Sequence, residues 1–172
     1  MYDLVLQNGL VVDGGRAKPY TANVCIQDGK IAKITTDTVS GTETLDVSGL
    51  AVAPGFIDLH SHSDASPLMD YAVESKIAQG VTTEIVGNCG ISILPATPER
   101  IGEIEEYITS QLELPVYGKK VAQMSVTDYA RAVKEHGAST NYGVLVGHGT
   151  LRLAVMGFVN RAPSEEEMEQ LK

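Results

Sequence analysis

The pattern of the sequence changes near residue 54, and this change limits the folds that the chain can adopt. Before it, short β-prone runs alternate with turn dipeptides. After it, apolar strands alternate with helical segments, which predicts a parallel sheet or a (β/α) barrel. We therefore predict an α/β protein with a small all-β module over residues 1–53 and a (β/α) region over residues 54–172.

The first 53 residues contain two dipeptides that are typical of tight hairpin turns. Asn8-Gly9 and Asp28-Gly29 each separate two β-prone runs, so each predicts a hairpin. A module of about fifty residues is too thin to hold a core by itself. Cys25 lies in the run "ANVCIQDG", and we interpret it as a packing residue because free cysteines behave as small hydrophobes.

The remainder of the chain reads as three strand–helix units. Its predicted strands are "GFIDLH", "VTTEIV" and "YGVLVG". Its predicted helices are Ser66–Gln79 with Gly80 as the C′ residue, Thr97–Gln111, Val126–His136, and one capped by Ser164 and Glu167. A complete (β/α)₈ barrel needs about 250 residues. The sequence therefore predicts the first part of a barrel that is truncated here.

Composition excludes several classes of partner. The net charge is -9, whereas nucleic acids and anionic membranes select clusters of Lys and Arg. No apolar run approaches the roughly 18–20 residues of a membrane span. The first residues, "MYDLVLQNG", carry an acid and read as a strand, so a cytoplasmic location is the default expectation. Cys25 and Cys89 are far apart, which argues against a disulfide scaffold.

Two of the four histidines lie one residue apart in "PGFIDLHSHSD", at the end of a predicted strand. Residues i and i+2 of a strand share a face, so His60 and His62 present two imidazoles together. Metal binding is the commonest reason for such a pair, although polar residues on a solvated strand end are the alternative. Asp64 follows closely, where it could contact a ligand or a substrate. The carboxyl ends of parallel strands also build active sites.

The loop "VGNCGIS" follows the next predicted strand and carries Cys89 between Gly87 and Gly90. The glycines permit a tight turn that would direct Cys89 into the mouth above the sheet. A thiolate there is a good zinc ligand. An inert buried thiol and a cysteine nucleophile are the alternatives, and ligation is favoured beside the two histidines. Asn88 is interpreted as a loop-capping residue.

Four other polar residues are weaker candidates for a functional site. Glu84 lies within a predicted strand and is either an ion-paired strand residue or a metal ligand. His148, between two glycines in "LVGHGTLR", is either a pocket residue that contacts metal or substrate, or a simple loop histidine. Arg152 could face a substrate carboxylate but is more typical of a surface arginine. His136 ends a helix, where a cation suits the helix dipole.

These motifs carry a family resemblance. "VAPGFIDLHSHSD" after a small β module resembles the amidohydrolase superfamily, and "GVTTEIVGNCGIS" and "VGHGTLR" resemble its N-acyl-D-amino-acid deacylase, or D-aminoacylase, group. The resemblance runs over the whole chain. It implies a metal-dependent (β/α)₈, TIM-like barrel with a β-sandwich that N- and C-terminal segments share. It also implies that His60 and His62 lie at one metal position and Cys89 at a second, tighter one.

The resemblance further implies a zinc-dependent hydrolase that cleaves the amide bond of N-acyl-D-amino acids, a small-molecule substrate. One or two zinc ions are expected, and nickel or cobalt would suit the same ligands. In the family, two more histidine ligands and a general-base aspartate come from later strands. No residue of this chain is assigned to those roles, so its catalytic residues are unknown and we expect it to be inactive alone.

Two other interpretations stay open. A cyclic-amide hydrolase of the dihydropyrimidinase or dihydroorotase type usually carries a lysine ligand on a later strand and lacks the Cys89 loop, so "GNCGIS" argues against it. The alternative from another class is a catalytically dead fragment that binds metal or a partner. Open strand edges in a partial barrel would favour a homo-oligomer.

Overall fold

The computed structural model describes residues 1–68, 74–112 and 124–172. The contacts divide the chain into two compact units, Met1–Pro54 and Gly55–Lys172. Within the described ranges, no helix combines the length and the apolar character that crossing a membrane requires.

The first unit is a five-stranded mixed sheet. Its strands are β1 (Tyr2–Val11), β2 (Tyr20–Gln27), β3 (Lys30–Thr35), β4 (Gly41–Asp46) and β5 (Ala51–Val52). They lie in the order β3-β2-β1-β4, and β5 pairs with the far end of β1. The β1–β2 and β2–β3 pairs are antiparallel, whereas β4 and β5 run parallel to β1. Strand β1 is therefore the centre of this unit.

The predicted hairpin at Asn8-Gly9 is wrong, because strand β1 runs through both residues. Asn8 has a φ of 61°, and the pairing with β2 shifts register between Leu6 and Gly9, which defines a β-bulge. The Asn8 amide donates to Asn23 Oδ1 at 3.0 Å, and Asn8 Nδ2 donates to Asp46 Oδ1 at 3.1 Å. These contacts on both neighbouring strands hold the bulge in place of a turn.

The bulge explains how the core of the first unit forms. An extra residue reverses the alternation of side chains along a strand. Leu6 before the bulge and Val11 after it therefore pack against the same group, which includes Ala22 and Val24. Cys25 is completely buried and pairs with Val5, which fits its interpretation as a packing residue.

The predicted hairpin at Asp28-Gly29 is confirmed. It joins β2 to β3, and the two turn residues have φ values of 53° and 69°. Positive φ at both central residues is the requirement of a type I′ turn, whose twist matches that of the strands.

The second unit contains a parallel sheet of three strands in the order β6-β7-β8. The strands are β6 (Phe56–Asp58), β7 (Val81–Val86) and β8 (Asn141–Val144). The helices are α1 (Glu74–Ile77), α2 (Ile101–Leu112), α3 (Val126–His136), α4 (His148–Met156) and α5 (Glu165–Gln170). Two 3-10 turns cover Ser66–Leu68 and Asn88–Gly90. All three predicted strands of this region are present.

Helix boundaries agree best with the sequence where a capping box is present. The bounds of α3 agree with the prediction, and the side chains of Ser125 and Asp128 cap its first turn reciprocally. Ser164 and Glu167 cap α5 in the same way. Helix α2 begins at Ile101, after the predicted start at Thr97-Pro98.

The helix predicted over Ser66–Gln79 is not continuous within the described residues. Ser66–Leu68 form a 3-10 turn and Glu74–Ile77 an α-helix, while residues 69–73 of that prediction lie outside the described ranges. Gly80 does follow the helix with a φ of 79°, as a C′ glycine should, and its amide donates to the Ile77 carbonyl at 2.8 Å.

The core of the second unit is formed by side chains from its three longest helices and from the loop after β7. Ile104 of α2, Tyr129 of α3 and Leu153 of α4 are buried in one cluster with Leu94. The Tyr129 hydroxyl donates to the backbone carbonyl of Asp64 at 2.7 Å, so helix α3 is bonded directly to the loop that follows β6. This bond ties the loop after β6 to the core of the second unit.

Candidate metal centre

His60 and His62 follow the carboxyl end of β6. The His60 amide donates to Asp58 Oδ1 at 3.1 Å, and the Ser61 amide donates to the Ile85 carbonyl of β7 at 3.0 Å. The segment is therefore held against the neighbouring strand beyond the end of β6. The two imidazole ring centroids lie 5.4 Å apart with an interplanar angle of 66°. The sequence prediction that these rings lie together agrees with this geometry.

Cys89 lies on the 3-10 turn that follows β7. It has a φ of 58°, and the preceding Gly87 has a φ of 79°. A Cβ atom on Gly87 would lie 1.9 Å from the carbonyl oxygen of Leu145, so only glycine fits there. The Asn88 side chain donates to the Ile85 carbonyl at 2.7 Å and to the Ser61 carbonyl at 3.3 Å. Asn88 thus caps its loop, as predicted, and also joins it to the histidine segment.

The two loops bring three metal-ligating side chains together. One ligand atom each from His60, His62 and Cys89 lies within 4.8 Å of the others, and no other such cluster occurs among the described residues. His60 Nε2 lies 3.1 Å from the Cys89 sulfur. His62 Nδ1 is buried without a hydrogen-bond partner in the described part of the chain. Two imidazoles and an exposed thiol therefore meet the requirements of a zinc or similar transition-metal site.

Asp64 lies two residues after His62 and is 1% exposed. Burial raises the pKa of its carboxyl to about 6, opposed by the amides of Gly87 and Ile93 and by the nearby His62. Neither carboxyl oxygen completes a hydrogen bond of ordinary geometry within the described residues. The interpretation of Asp64 as a residue that supports a ligand or substrate stays a prediction.

His148 is the first residue of α4 and is exposed. It lies outside the group of three ligand atoms. Its flanking glycines pack closely against the Cys89 loop, since a Cβ on Gly147 would lie 2.5 Å from the Gly90 carbonyl oxygen and one on Gly149 2.9 Å from it. The structure therefore places His148 beside the cysteine loop but does not add it to the ligand cluster.

Arg152 is engaged in bonds within its own region of the chain. Its Nη2 donates to the carbonyls of Val159 and Arg161 at 3.0 and 2.6 Å, and Nη1 lies 3.1 Å from the Met156 sulfur. This arrangement agrees with the interpretation of a surface arginine. His136 is the last residue of α3, where the sequence placed it as a helix-end cation.

Glu84 is an ion-paired strand residue, as the sequence favoured, but its set of partners was missed. The side chain is 0% exposed. Ser61 Oγ and Ser63 Oγ donate to Oε2 at 2.7 and 2.5 Å, and Thr140 Oγ1 donates to Oε1 at 2.9 Å. The Lys76 ammonium lies 3.5 Å from Oε2. The sequence feature that could have indicated these partners is a charged residue inside an apolar strand, because a buried carboxylate is stable only when neighbouring groups donate hydrogen bonds to it.

The hydrogen bonds around Glu84 predict a pH dependence of stability. Burial alone would raise the pKa of this carboxyl, but Ser63, Ser61, Thr140 and the charge of Lys76 outweigh burial and hold its pKa below 4.5. The carboxylate therefore contributes stability above pH 4.5, and this contribution is lost as the pH falls through the lowered folded value.

We expect the Glu84→Gln variant to have a free energy of unfolding about 2 kcal/mol below that of the wild-type chain at pH 7, since bonds to a charged group are lost. The difference should shrink as the pH falls from 4.5 through the lowered pKa of the folded chain, where the Glu84 carboxylate takes up its proton. Urea unfolding of both chains at neutral and at acidic pH measures it. An equal difference at both pH values would contradict the assignment of an ionised Glu84.

Several known proteins resemble this chain over nearly its whole length. No protein-family model matches the chain. A D-aminoacylase of Alcaligenes xylosoxydans xylosoxydans is 37% identical over 176 residues, which cover 99% of this chain and 34% of that protein. The chain thus spans about one third of the length of this relative, and of the two solved structures below.

The solved structures lead to the same group. A D-aminoacylase with a binuclear metal centre superposes with a TM-score of 0.83 at 32% identity, covering 99% of this chain and 35% of that one. An N-acyl-D-glutamate deacylase from Bordetella bronchiseptica, solved with zinc and a phosphonate inhibitor, gives a TM-score of 0.83 at 31% identity, covering 99% and 34%.

The predicted α/β class is confirmed by the mixed sheet, the parallel sheet and these structural neighbours. The described residues contribute three parallel strands, so a closed eight-stranded barrel stays a prediction. The relatives of this chain named above are hydrolases of amide bonds. By sequence and by fold, the chain is similar over nearly its whole length to D-aminoacylases and N-acyl-D-amino-acid deacylases, and it spans about one third of their length.

Proposed function

We propose that this chain supplies the metal-binding part of a hydrolase that cleaves the amide bond of N-acyl-D-amino acids. The observation that carries the proposal is the convergence of His60, His62 and Cys89 within 4.8 Å at the carboxyl ends of β6 and β7. That edge of a parallel sheet is where (β/α) folds build their active sites. The relatives named above are deacylases of D-amino-acid derivatives.

In the proposed centre, His60, His62 and Cys89 hold one transition-metal ion, or share two. Zinc is the ion proposed here because imidazole and thiolate ligands both suit it. A bound zinc ion would polarise the scissile carbonyl and lower the pKa of water to about 7. The nearness of His60 Nε2 and the Cys89 sulfur, at 3.1 Å, supports a shared ion in preference to two distant ones.

The chain's own residues have distinct tasks in this proposal. The Cys89 loop is kept in place by the Asn88 side chain and by the absence of a side chain at Gly87. Asp64, which is buried and interacts electrostatically with His62, supports the His62 side of the centre. His148, exposed beside the Cys89 loop, lies where it could contact a substrate. The general base is proposed to be an aspartate that lies outside residues 1–172.

The proposal places the complete active site in a longer protein. Strand β6 lies at the edge of its sheet and leaves Phe56 62% and Ile57 61% exposed, apolar area that further chain would cover. Three ligands without a base leave residues 1–172 inactive alone in this account. Alternatively, a second copy of the chain covers β6 in a homo-oligomer and completes the active site.

The test is hydrolysis of N-acetyl-D-amino acids and their L enantiomers with zinc present, followed by chiral chromatography of the free amino acids. A protein that carries this chain at the full length of its relatives should release the D-amino acids, and its Cys89→Ala variant should release none. The matched control is Cys25→Ala, which removes the other, buried thiol and should retain turnover.

Other outcomes decide between the remaining interpretations. Turnover of a hydantoin or a dihydroorotate in place of the acyl amino acids would favour the cyclic-amide hydrolase. No turnover of any amide by the longer protein would favour the catalytically dead, metal-binding fragment. Turnover by the purified 172-residue chain that disappears in His60→Ala would overturn the expectation that this chain is inactive alone.

A further inference from the structure

Two serines alternate with the two histidines in the segment His60-Ser61-His62-Ser63. Both serine hydroxyls donate to the same atom, Glu84 Oε2, at 2.7 and 2.5 Å, and the two hydroxyl oxygens lie 2.8 Å apart. The backbone is therefore fixed on each side of His62. Such a double attachment to one oxygen removes much of the freedom that a connecting segment otherwise has.

The acceptor of these two bonds is itself rigid. Glu84 belongs to the central strand of the three-stranded sheet and is 0% exposed. Its other oxygen accepts from Thr140 at 2.9 Å, just before β8, and Lys76 of α1 balances its charge at 3.5 Å. Lys76 also contacts Asp58 Oδ2 at 2.5 Å, at the end of β6. The carboxylate thus joins all three strand regions at one buried point.

A neutral or apolar residue could not replace this carboxylate in the same arrangement. An ionised carboxylate only accepts hydrogen bonds, so it can take two serine hydroxyls and an ammonium group on the same oxygen. Bonds to charged acceptors are also about twice as strong as neutral ones. The donors together offset the cost of burying the charge, and the two serine bonds are the ones that attach the histidine segment to it.

We propose that Glu84 is the positioning residue of the metal centre: through Ser61 and Ser63 it fixes the backbone that directs His60 and His62 toward Cys89. This inference rests on the proposed function, because it assigns a role within that same centre. Glu84 acts through other residues and does not itself belong to the ligand group. It would make the pair of imidazoles ready for an ion before the ion arrives.

The test compares variants of the 172-residue chain for zinc affinity, measured by competition with a chromophoric chelator, and for the absorption spectrum of the cobalt form. Ser61→Ala/Ser63→Ala should weaken zinc binding by roughly tenfold, the lower end of what supporting groups contribute to metal sites. It should also alter the cobalt spectrum, since the ligand directions change. Glu84→Gln should give the same two effects.

The matched control is Thr140→Val, which removes a hydroxyl from the opposite oxygen of Glu84 and leaves the histidine segment attached. Its zinc affinity should stay within about twofold of wild type although its stability loss resembles that of one serine variant. Adding Glu84→Gln to the double serine variant should cause no further loss of affinity, because coupled residues are not additive. That pattern would separate positioning from a general loss of stability.

The inference is overturned if the double serine variant binds zinc as tightly as wild type, or if Thr140→Val weakens binding equally. It is overturned together with the metal centre if the wild-type chain binds no zinc or cobalt. Should Glu84→Gln fail to fold, the double serine variant and Thr140→Val decide alone. Weakened binding in the serine variants, in a longer protein that hydrolyses no amide, would support the inference and contradict the proposed function.

Discussion

Replacement of Cys89 by serine is expected to lower the zinc affinity of the chain by about 100-fold or more. Loss of a supporting group costs about 10–100-fold in metal affinity, so loss of a direct ligand should reach at least the upper end. The thiol lies 3.1 Å from His60 Nε2, and the Cys89→Ser change leaves the geometry of the turn intact while removing the thiolate. Competition with a chromophoric chelator measures the affinity.

The control for this prediction is Cys25→Ala, because Cys25 is the only other cysteine and lies buried in the first unit. Its zinc affinity should equal that of wild type, and the thiolate-to-cobalt absorption of the cobalt form should persist in it. The same absorption should vanish in Cys89→Ser. Equal zinc affinity of wild type and Cys89→Ser would remove Cys89 from the metal centre.

Replacement of Gly87 by alanine is expected to lower the free energy of unfolding by about 4 kcal/mol, the sum of a left-handed backbone at a residue with a Cβ and of overpacking. Gly87 has a φ of 79°, and the added Cβ would lie 1.9 Å from the Leu145 carbonyl oxygen. That carbonyl cannot move away easily, because the Leu145 amide donates to the Val86 carbonyl at 2.9 Å.

Gly80→Ala provides the matched control in the same unit. Gly80 also has a φ of 79°, but the atom nearest to the position of its Cβ is Phe56 Cδ2 at 3.5 Å, an ordinary van der Waals contact. It should therefore cost only the backbone strain, about 1–2 kcal/mol. Urea unfolding of both variants measures the difference. Equal losses at the two glycines would contradict the close approach of the Cys89 loop to the end of β8.

Local turn chemistry was predictable only in part from the sequence, as the two similar dipeptides demonstrate. Asp28-Gly29 forms the predicted hairpin, because the strands on its two sides pair with each other. Asn8-Gly9 forms a bulge, because Asn23 and Asp46, from two other strands, hold Asn8 within β1. The dipeptide indicates a positive φ in both cases, but distant partners decide whether the chain reverses there.

The candidate metal centre could be predicted because its elements follow a general rule of parallel sheets. The strands before His60 and Cys89 are neighbours along the chain and in the sheet, so their carboxyl ends lie side by side. The support of the centre could not be predicted in the same way. Thr140 lies 56 residues from Glu84, and nothing in its local sequence indicates that it donates to a buried carboxylate.

The most direct test of the central claim is the zinc X-ray absorption spectrum of the zinc-loaded Cys25→Ala chain, with metal content measured on the same sample. We expect bound zinc with one sulfur and imidazole nitrogens among its ligands, since Cys89 is then the only thiol in the chain. A chain that retains no zinc, or zinc surrounded by oxygen and nitrogen without sulfur, would contradict the central claim.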